Sequence, residues 1–203
     1  MTHKSVLLVL AAVALAVPAI AQVAMPGAPD VSRVTAGSYK VDPYHTQVVW
    51  TLDHLGITPL SGDFAASGGS LELDPANPSA AKVSVSFDMA SMTTLVPGFT
   101  KHLLSADLLD AATHPTASFT STSVAATGTS AKITGNLTLK GVTKPVVLDA
   151  KFYGAGANPM SKKLNVGFTA TTTIKRSEFG ITYAPAVGDE VELEINAAFE
   201  KQA

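Results

Sequence analysis

The chain has 203 residues, no cysteine and a formal net charge of −2 at pH 7. Without cysteine there are no disulfide bonds, no thiol nucleophile and no thiolate metal site. The charge is nearly balanced and forms no basic or acidic block, so nucleic acid and an anionic membrane surface are not predicted partners.

The first 21 residues have the order of a secretory signal peptide. Lys4 supplies a positive charge, residues 6–17 form an unbroken apolar run, and Ala19 and Ala21 are small residues before a cleavage site. The run is too short to span a bilayer core of roughly 30 Å as a helix. We therefore predict export to the periplasm with cleavage after Ala21. A retained N-terminal anchor is the alternative.

Removing 21 of the 203 residues leaves 182, which suits one domain with a substantial core. Residues 22–37 contain Pro26, Gly27 and Pro29 and show no periodicity, which indicates a flexible leader. The predicted domain therefore occupies residues 38–203.

From Tyr39 onward, apolar and polar residues alternate with a period of two, as in strands with one buried and one exposed face. The clearest run is Val191, Leu193, Ile195, Ala197 and Phe199 against three glutamates and an asparagine. Turn residues separate about eight such runs, including Gly68-Gly69, Asp74-Pro75 and Lys140-Gly141. The pattern predicts an all-β domain, either a sandwich or a closed barrel.

Residues 93–112 interrupt this rhythm. Leu95, Phe99, Leu103, Leu104 and Leu108 have nearly helical spacing, and Pro97 would start the helix. We predict a short helix inside a long loop. Such a loop is usually functional or mobile, and it could equally be a plug that seals one end of a barrel.

The common catalytic motifs are absent: there is no Gly-x-Ser-x-Gly elbow, phosphate-binding loop or His-Glu-x-x-His pair. Four histidines remain after the signal peptide, His45, His54, His102 and His114, and their spacing matches no local ligand pattern. Because the four histidines could still converge in space, a histidine-based metal protein or enzyme is the alternative to a binding protein.

Large and small residues alternate on the predicted inner faces. The large ones are Trp50, Phe64, Phe87, Phe119, Phe168 and Phe199, and the small ones are Gly62, Ala66, Ala131, Gly135, Ala150, Ala170 and Ala197. An eight-stranded barrel can be filled by its side chains or can hold one small ligand. The composition is compatible with both a hollow and a packed interior.

Several motifs, in order, connect the chain to a known family. They include Tyr39-Lys40-Val41-Asp42-Pro43-Tyr44-His45-Thr46, Gly62-Asp63-Phe64, Pro115-Thr116-Ala117-Ser118-Phe119, Gly135-Asn136-Leu137-Thr138-Leu139-Lys140-Gly141 and Arg176-Ser177-Glu178-Phe179-Gly180. On these motifs the chain resembles the YceI-like family of periplasmic, lipocalin-like proteins, from about Tyr39 to Phe199. Thr46, His114 and Glu178 depart from the residues usual in that family.

The resemblance implies an extended eight-stranded antiparallel barrel that binds a long-chain apolar lipid and has no catalytic residues or cofactor. The expected guest is a polyisoprenoid, an isoprenoid quinone or a fatty-acid derivative, held for transport, storage or a stress response. No stable membrane insertion is expected, and a homodimer is left open. The predicted ligand-binding residues are Trp50, Phe64, Phe87, Phe99, Leu103, Phe119 and Phe168.

Overall fold

The computed structural model describes residues 24–203, so the predicted signal peptide lies outside the described residues. Within these residues strands dominate, and there is one α-helix, α1 (Pro97–Leu103). The strands are β1 (Gly27–Ala28), β2 (Gly37–Val41), β3 (Gln47–His54), β4 (Thr58–Leu73), β5 (Lys82–Asp88), β6 (Thr116–Thr127), β7 (Ser130–Leu139), β8 (Val142–Ala157), β9 (Leu164–Lys175) and β10 (Glu190–Lys201).

The strands close into an antiparallel barrel with eight positions around its wall. From β4 to β10 each strand pairs with the next along the chain. β2 and β3 together fill the eighth position, because both lie between β10 and β4. Closure leaves none of these eight positions as a free edge of the sheet. The prediction of an all-β, eight-stranded antiparallel barrel with one short helix is confirmed.

Residues 42–46 interrupt the wall between β2 and β3, and the Thr46 side chain hydrogen-bonds to β10 at this interruption. Its buried hydroxyl accepts a hydrogen bond from the Ala198 N–H at 3.0 Å and donates one to the Ala198 carbonyl at 3.1 Å. The Asp42 N–H also donates to that carbonyl. Ala198 N–H therefore depends on the Thr46 side chain, whereas its carbonyl has a second partner.

Replacing Thr46 with valine keeps the shape of the side chain and leaves the Ala198 N–H unpaired. We expect the free energy of unfolding to fall by about 1–3 kcal/mol, the usual cost of one buried unsatisfied group. Thermal unfolding followed by circular dichroism measures this loss. Thr46→Ser keeps the hydroxyl and is the matched control. Equal melting temperatures for the valine and serine variants would contradict the role given to this hydroxyl.

The predicted helical segment is shorter than its apolar spacing suggested. α1 begins at Pro97, as predicted, but it ends at Leu103, and residues 104–113 form successive turns. Thr93 pairs with Asp63 on the edge of β4 that extends beyond β5. The segment from β5 to β6 therefore completes one end of the barrel. Within residues 24–203, no helix has the length and apolar character needed to cross a membrane.

The part of the predicted leader that the structure describes contacts the other end of the barrel. Gly27 and Ala28 pair with β8, and Val34 is buried in a core cluster with Tyr39, Val41 and Phe199. The Tyr39 hydroxyl donates to the backbone carbonyl of Thr35. Residues 27–35 therefore lie against the barrel.

Candidate functional site

The inward faces of the strands enclose two apolar cavities of about 300 Å³ each. The first, here called the mouth cavity, lies at the barrel end formed by α1, the β3–β4 turn and the β9–β10 loop. The second, the distal cavity, lies toward the end covered by residues 27–35. Ligand pockets usually measure about 300–1,000 Å³, so each cavity alone reaches the lower limit of that range.

Four side chains line both cavities and form a waist between them: Val48, Phe87, Leu137 and Leu193. All four are apolar, and they come from four different strands, β3, β5, β7 and β10. The cavities are therefore adjacent chambers of one barrel interior, and an elongated apolar guest that passes the waist would contact both.

All seven predicted ligand-binding residues line one of the cavities or both. The mouth cavity is lined by five of them, Trp50, Phe64, Phe87, Phe99 and Leu103. The distal cavity is lined by three, Phe87, Phe119 and Phe168. Phe99 and Leu103 reach the mouth cavity from α1, in the segment for which the sequence had suggested a functional loop or a plug. Contact between these side chains and a ligand stays a prediction.

A row of alanines makes room in the distal cavity. Ala131, Ala150 and Ala170 are direct cross-strand neighbours on β7, β8 and β9, and all three line this cavity. Ala66 is different, although the sequence grouped it with them. It is 4% exposed, packs in the core cluster that contains Val34 and lines neither cavity.

Two aromatic rings pack closely against glycines in the barrel wall. A Cβ added at Gly62 would come within 2.7 Å of the Trp50 ring, and one added at Gly135 within 2.4 Å of the Phe119 ring. Each ring can occupy this position only because the glycine has no side chain. The glycines thus let large aromatic residues line the cavities as part of the wall.

Arg176 organises the β9–β10 loop at the mouth. The residue is 7% exposed, and all five N–H groups of its guanidinium donate to backbone carbonyls, those of Ile181, Gly188, Tyr183, Ala184 and Val187. Four of these five residues line the mouth cavity. The sequence marked Arg176 only as part of a family motif. Its role was not predictable, because backbone carbonyls leave no sequence signal.

A second set of hydrogen bonds holds the end of the same loop. The Ser177 N–H and hydroxyl donate to the two carboxylate oxygens of Asp189, at 2.9 and 2.8 Å. Both bonds favour the charged carboxylate, and they lower the pKa of Asp189 below its ordinary value. These bonds therefore join the beginning of the β9–β10 loop, at Ser177, to its end, at Asp189.

Polar side chains at the mouth are few. The ring of His102 on α1 meets that of Tyr183 edge-on, with 5.5 Å between centroids, and this contact joins the helix to the β9–β10 loop. His54 also lines the mouth cavity. His45 binds Asp42 on the surface, and His114 packs over Gly141. Nowhere in residues 24–203 do three or more histidine, aspartate or glutamate side chains form a group suited to a metal ion.

Comparison with known proteins adds three findings. The YceI-like domain family matches residues 39–199. A UPF0312 protein of Pseudomonas putida (strain F1) is 40% identical over 173 residues, covering 84% of this chain and 90% of the relative. The crystal structure of Burkholderia cenocepacia BcnA superposes with a TM-score of 0.66 at 26% identity, covering 78% of this chain and 98% of that one.

A more distant structure shares the fold alone. The polyisoprenoid binding domain from Saccharophagus degradans, implicated in plant cell wall breakdown, superposes with a TM-score of 0.55 at 13% identity. The superposition covers 81% of this chain and 98% of that domain. The barrel thus accommodates very different sequences.

Proposed function

Since the chain belongs to the family of YceI-like domains, we propose that it binds a long-chain apolar lipid in its barrel and catalyses no reaction. The observation that carries this proposal is the pair of apolar cavities joined at an apolar waist. The fold also occurs in a domain described as binding polyisoprenoid. A polyisoprenoid, an isoprenoid quinone or a fatty-acid derivative would suit the lining.

The physical basis of affinity is burial of the aliphatic chain. Burial contributes about 0.8 kcal/mol per CH₂, so a guest of some forty carbons would gain roughly 30 kcal/mol before losses. Practical affinities end near about 20 kcal/mol, and the lost freedom of the chain and the protein accounts for the difference. A guest held this way dissociates slowly enough to survive purification.

We place the protein in the periplasm, because residues 1–21 have the pattern of a cleavable signal peptide. Protein purified from a periplasmic fraction should begin at Gln22 and carry about one equivalent of lipid. Organic extraction followed by mass spectrometry identifies that lipid. A parallel purification from cells lacking the gene is the control for background lipid.

The two parts of this proposal fail separately. Lipid-free extracts from several preparations would contradict lipid binding, whatever the location. Recovery of the chain only in the cytoplasm, with Met1 intact, would contradict export and leave lipid binding standing.

A further inference from the structure

The indole N–H of Trp50 is a buried donor with no partner. Trp50 is 6% exposed, lines the mouth cavity, and its Nε1 has no hydrogen-bond acceptor among the residues that the structure describes. Buried side-chain N–H groups in folded proteins are nearly always paired, because an unpaired one has lost its hydrogen bond to water. The indole N–H of a buried tryptophan usually finds such a partner.

The shape of the wall fixes the position of this donor. The Trp50 ring lies over Gly62, and its atoms Cε2 and Cζ2 would be within 2.8 Å of a Cβ at that position. Nε1 is bonded to Cε2, so the donor belongs to the ring edge that the wall holds in place. The carbonyl oxygen of Thr93 lies at the same glycine, but it accepts from the Asp63 N–H at 3.0 Å and forms no hydrogen bond with Trp50. A ligand in the mouth cavity can therefore supply the partner.

The N–H groups of the arginine at this cavity are already paired. Arg176 is the permanently charged residue in the lining, and each of its five N–H groups donates to a carbonyl of the protein. It has no N–H left for an anionic group. Arg176 therefore offers no direct hydrogen bond to a carboxylate or a phosphate, and the other polar side chains of the lining are those of His54, His102 and Tyr183.

Building on the proposed lipid binding, we propose that the ligand has a neutral carbonyl group whose oxygen accepts a hydrogen bond from Trp50 Nε1. The carbonyl end of the ligand occupies the mouth cavity, and its apolar chain runs past the waist into the distal cavity. Trp50 thus selects lipids with a carbonyl head, such as ketones, quinones, esters and amides, over plain hydrocarbons.

The chain contains a single tryptophan, so its indole N–H gives one resonance in a nitrogen–proton correlation spectrum. The delipidated protein is titrated with two probes, octadecan-2-one and octadecane. Octadecan-2-one should move the indole proton resonance downfield and slow its exchange with solvent. Octadecane should bind without slowing that exchange, because it has no acceptor.

A substitution provides the second measurement. Trp50→Phe keeps an aromatic ring and removes the N–H, so it should weaken octadecan-2-one binding about two- to tenfold more than octadecane binding, the range of one net hydrogen bond. Phe64→Leu is the matched control, since Phe64 lines the same cavity and carries no polar atom. It should weaken both probes equally.

Two results overturn the inference while lipid binding stands: an indole N–H that responds alike to both probes, or equal losses for both probes in Trp50→Phe. If neither probe binds the wild-type protein, lipid binding itself is wrong and the inference fails with it. The resonance is measured on the wild-type chain, so the test does not depend on how well the variant folds.

Discussion

Replacing Arg176 with methionine is expected to lower the free energy of unfolding by about 3–5 kcal/mol, the usual cost of removing one partner from a buried charged network. Methionine fills similar space but donates no hydrogen bond, so five backbone carbonyls lose a donor together. For a domain of this size the melting temperature should fall by roughly 6–20 °C.

The loss should be concentrated in the β9–β10 loop. Amide exchange in residues 181–188 should accelerate far more than exchange in the paired residues of β6 and β7. Lipid affinity should fall as well, because Ile181, Tyr183, Ala184 and Val187 line the mouth cavity.

The matched control is Arg33→Met, which changes the chain's other arginine in the same way. Arg33 is exposed and forms a long ion pair with Asp30 at 3.8 Å. Its replacement should change stability by less than about 0.5 kcal/mol, as is usual for surface sites. Equal melting temperatures for the two variants would show that Arg176 does not hold the loop.

Filling the distal cavity is expected to have the larger effect on binding. Ala150 lies in the middle of the alanine row and lines the cavity. In Ala150→Phe the new ring occupies space that the lipid chain would use. Displacing about four methylene groups would cost roughly 3 kcal/mol at 0.8 kcal/mol each, a loss of more than about a hundredfold in affinity. The stability of the lipid-free protein should change little.

Ala66→Phe makes the same chemical change in a different setting. Ala66 is packed in the core and lines neither cavity, so the added ring should destabilise the fold by about 1–3 kcal/mol through overpacking. The affinity of the folded fraction should stay close to that of the wild type. Both measurements are made on delipidated protein. If the two variants lose stability and affinity to the same extent, the distal cavity is not a binding space.

The strands were largely predictable because the barrel wall has one apolar and one polar face. In β10, Val191 and Phe199 are buried and the glutamates between them are exposed, as the alternation indicated. The start of α1 was also predictable, because proline is favoured in the first turn of a helix. The end of α1 was not predictable. Leu104 and Leu108 lie in turns and pack against the core, so their spacing resembles that of a helix although no helix is present there.

Other features depended on contacts that leave no local pattern. Ala66 alternates in phase with Gly62 and Phe64, yet its neighbours in three dimensions pack it into the core instead of leaving it at a cavity. The segment of residues 27–35 has no periodicity, and its contacts with the barrel are set by tertiary structure. The Trp50 Nε1–H has no acceptor among the described residues. That depends on which atoms surround it in three dimensions, and the order of residues does not reveal it.

The barrel wall around the cavities is complete only when β10 is paired with β2 and β3. Phe199 pairs with Val41 and Ile195 with Val48, so the last strand closes the barrel against the first ones. Contacts between such distant parts of a chain form slowly, since a long loop must be ordered before they stabilise the fold. Without that pairing the inner face would be an open sheet that a lipid could approach from the side. Loading during folding and loading through the finished mouth are therefore distinct kinetic routes, and only the second has to displace α1 or the loop held by Arg176.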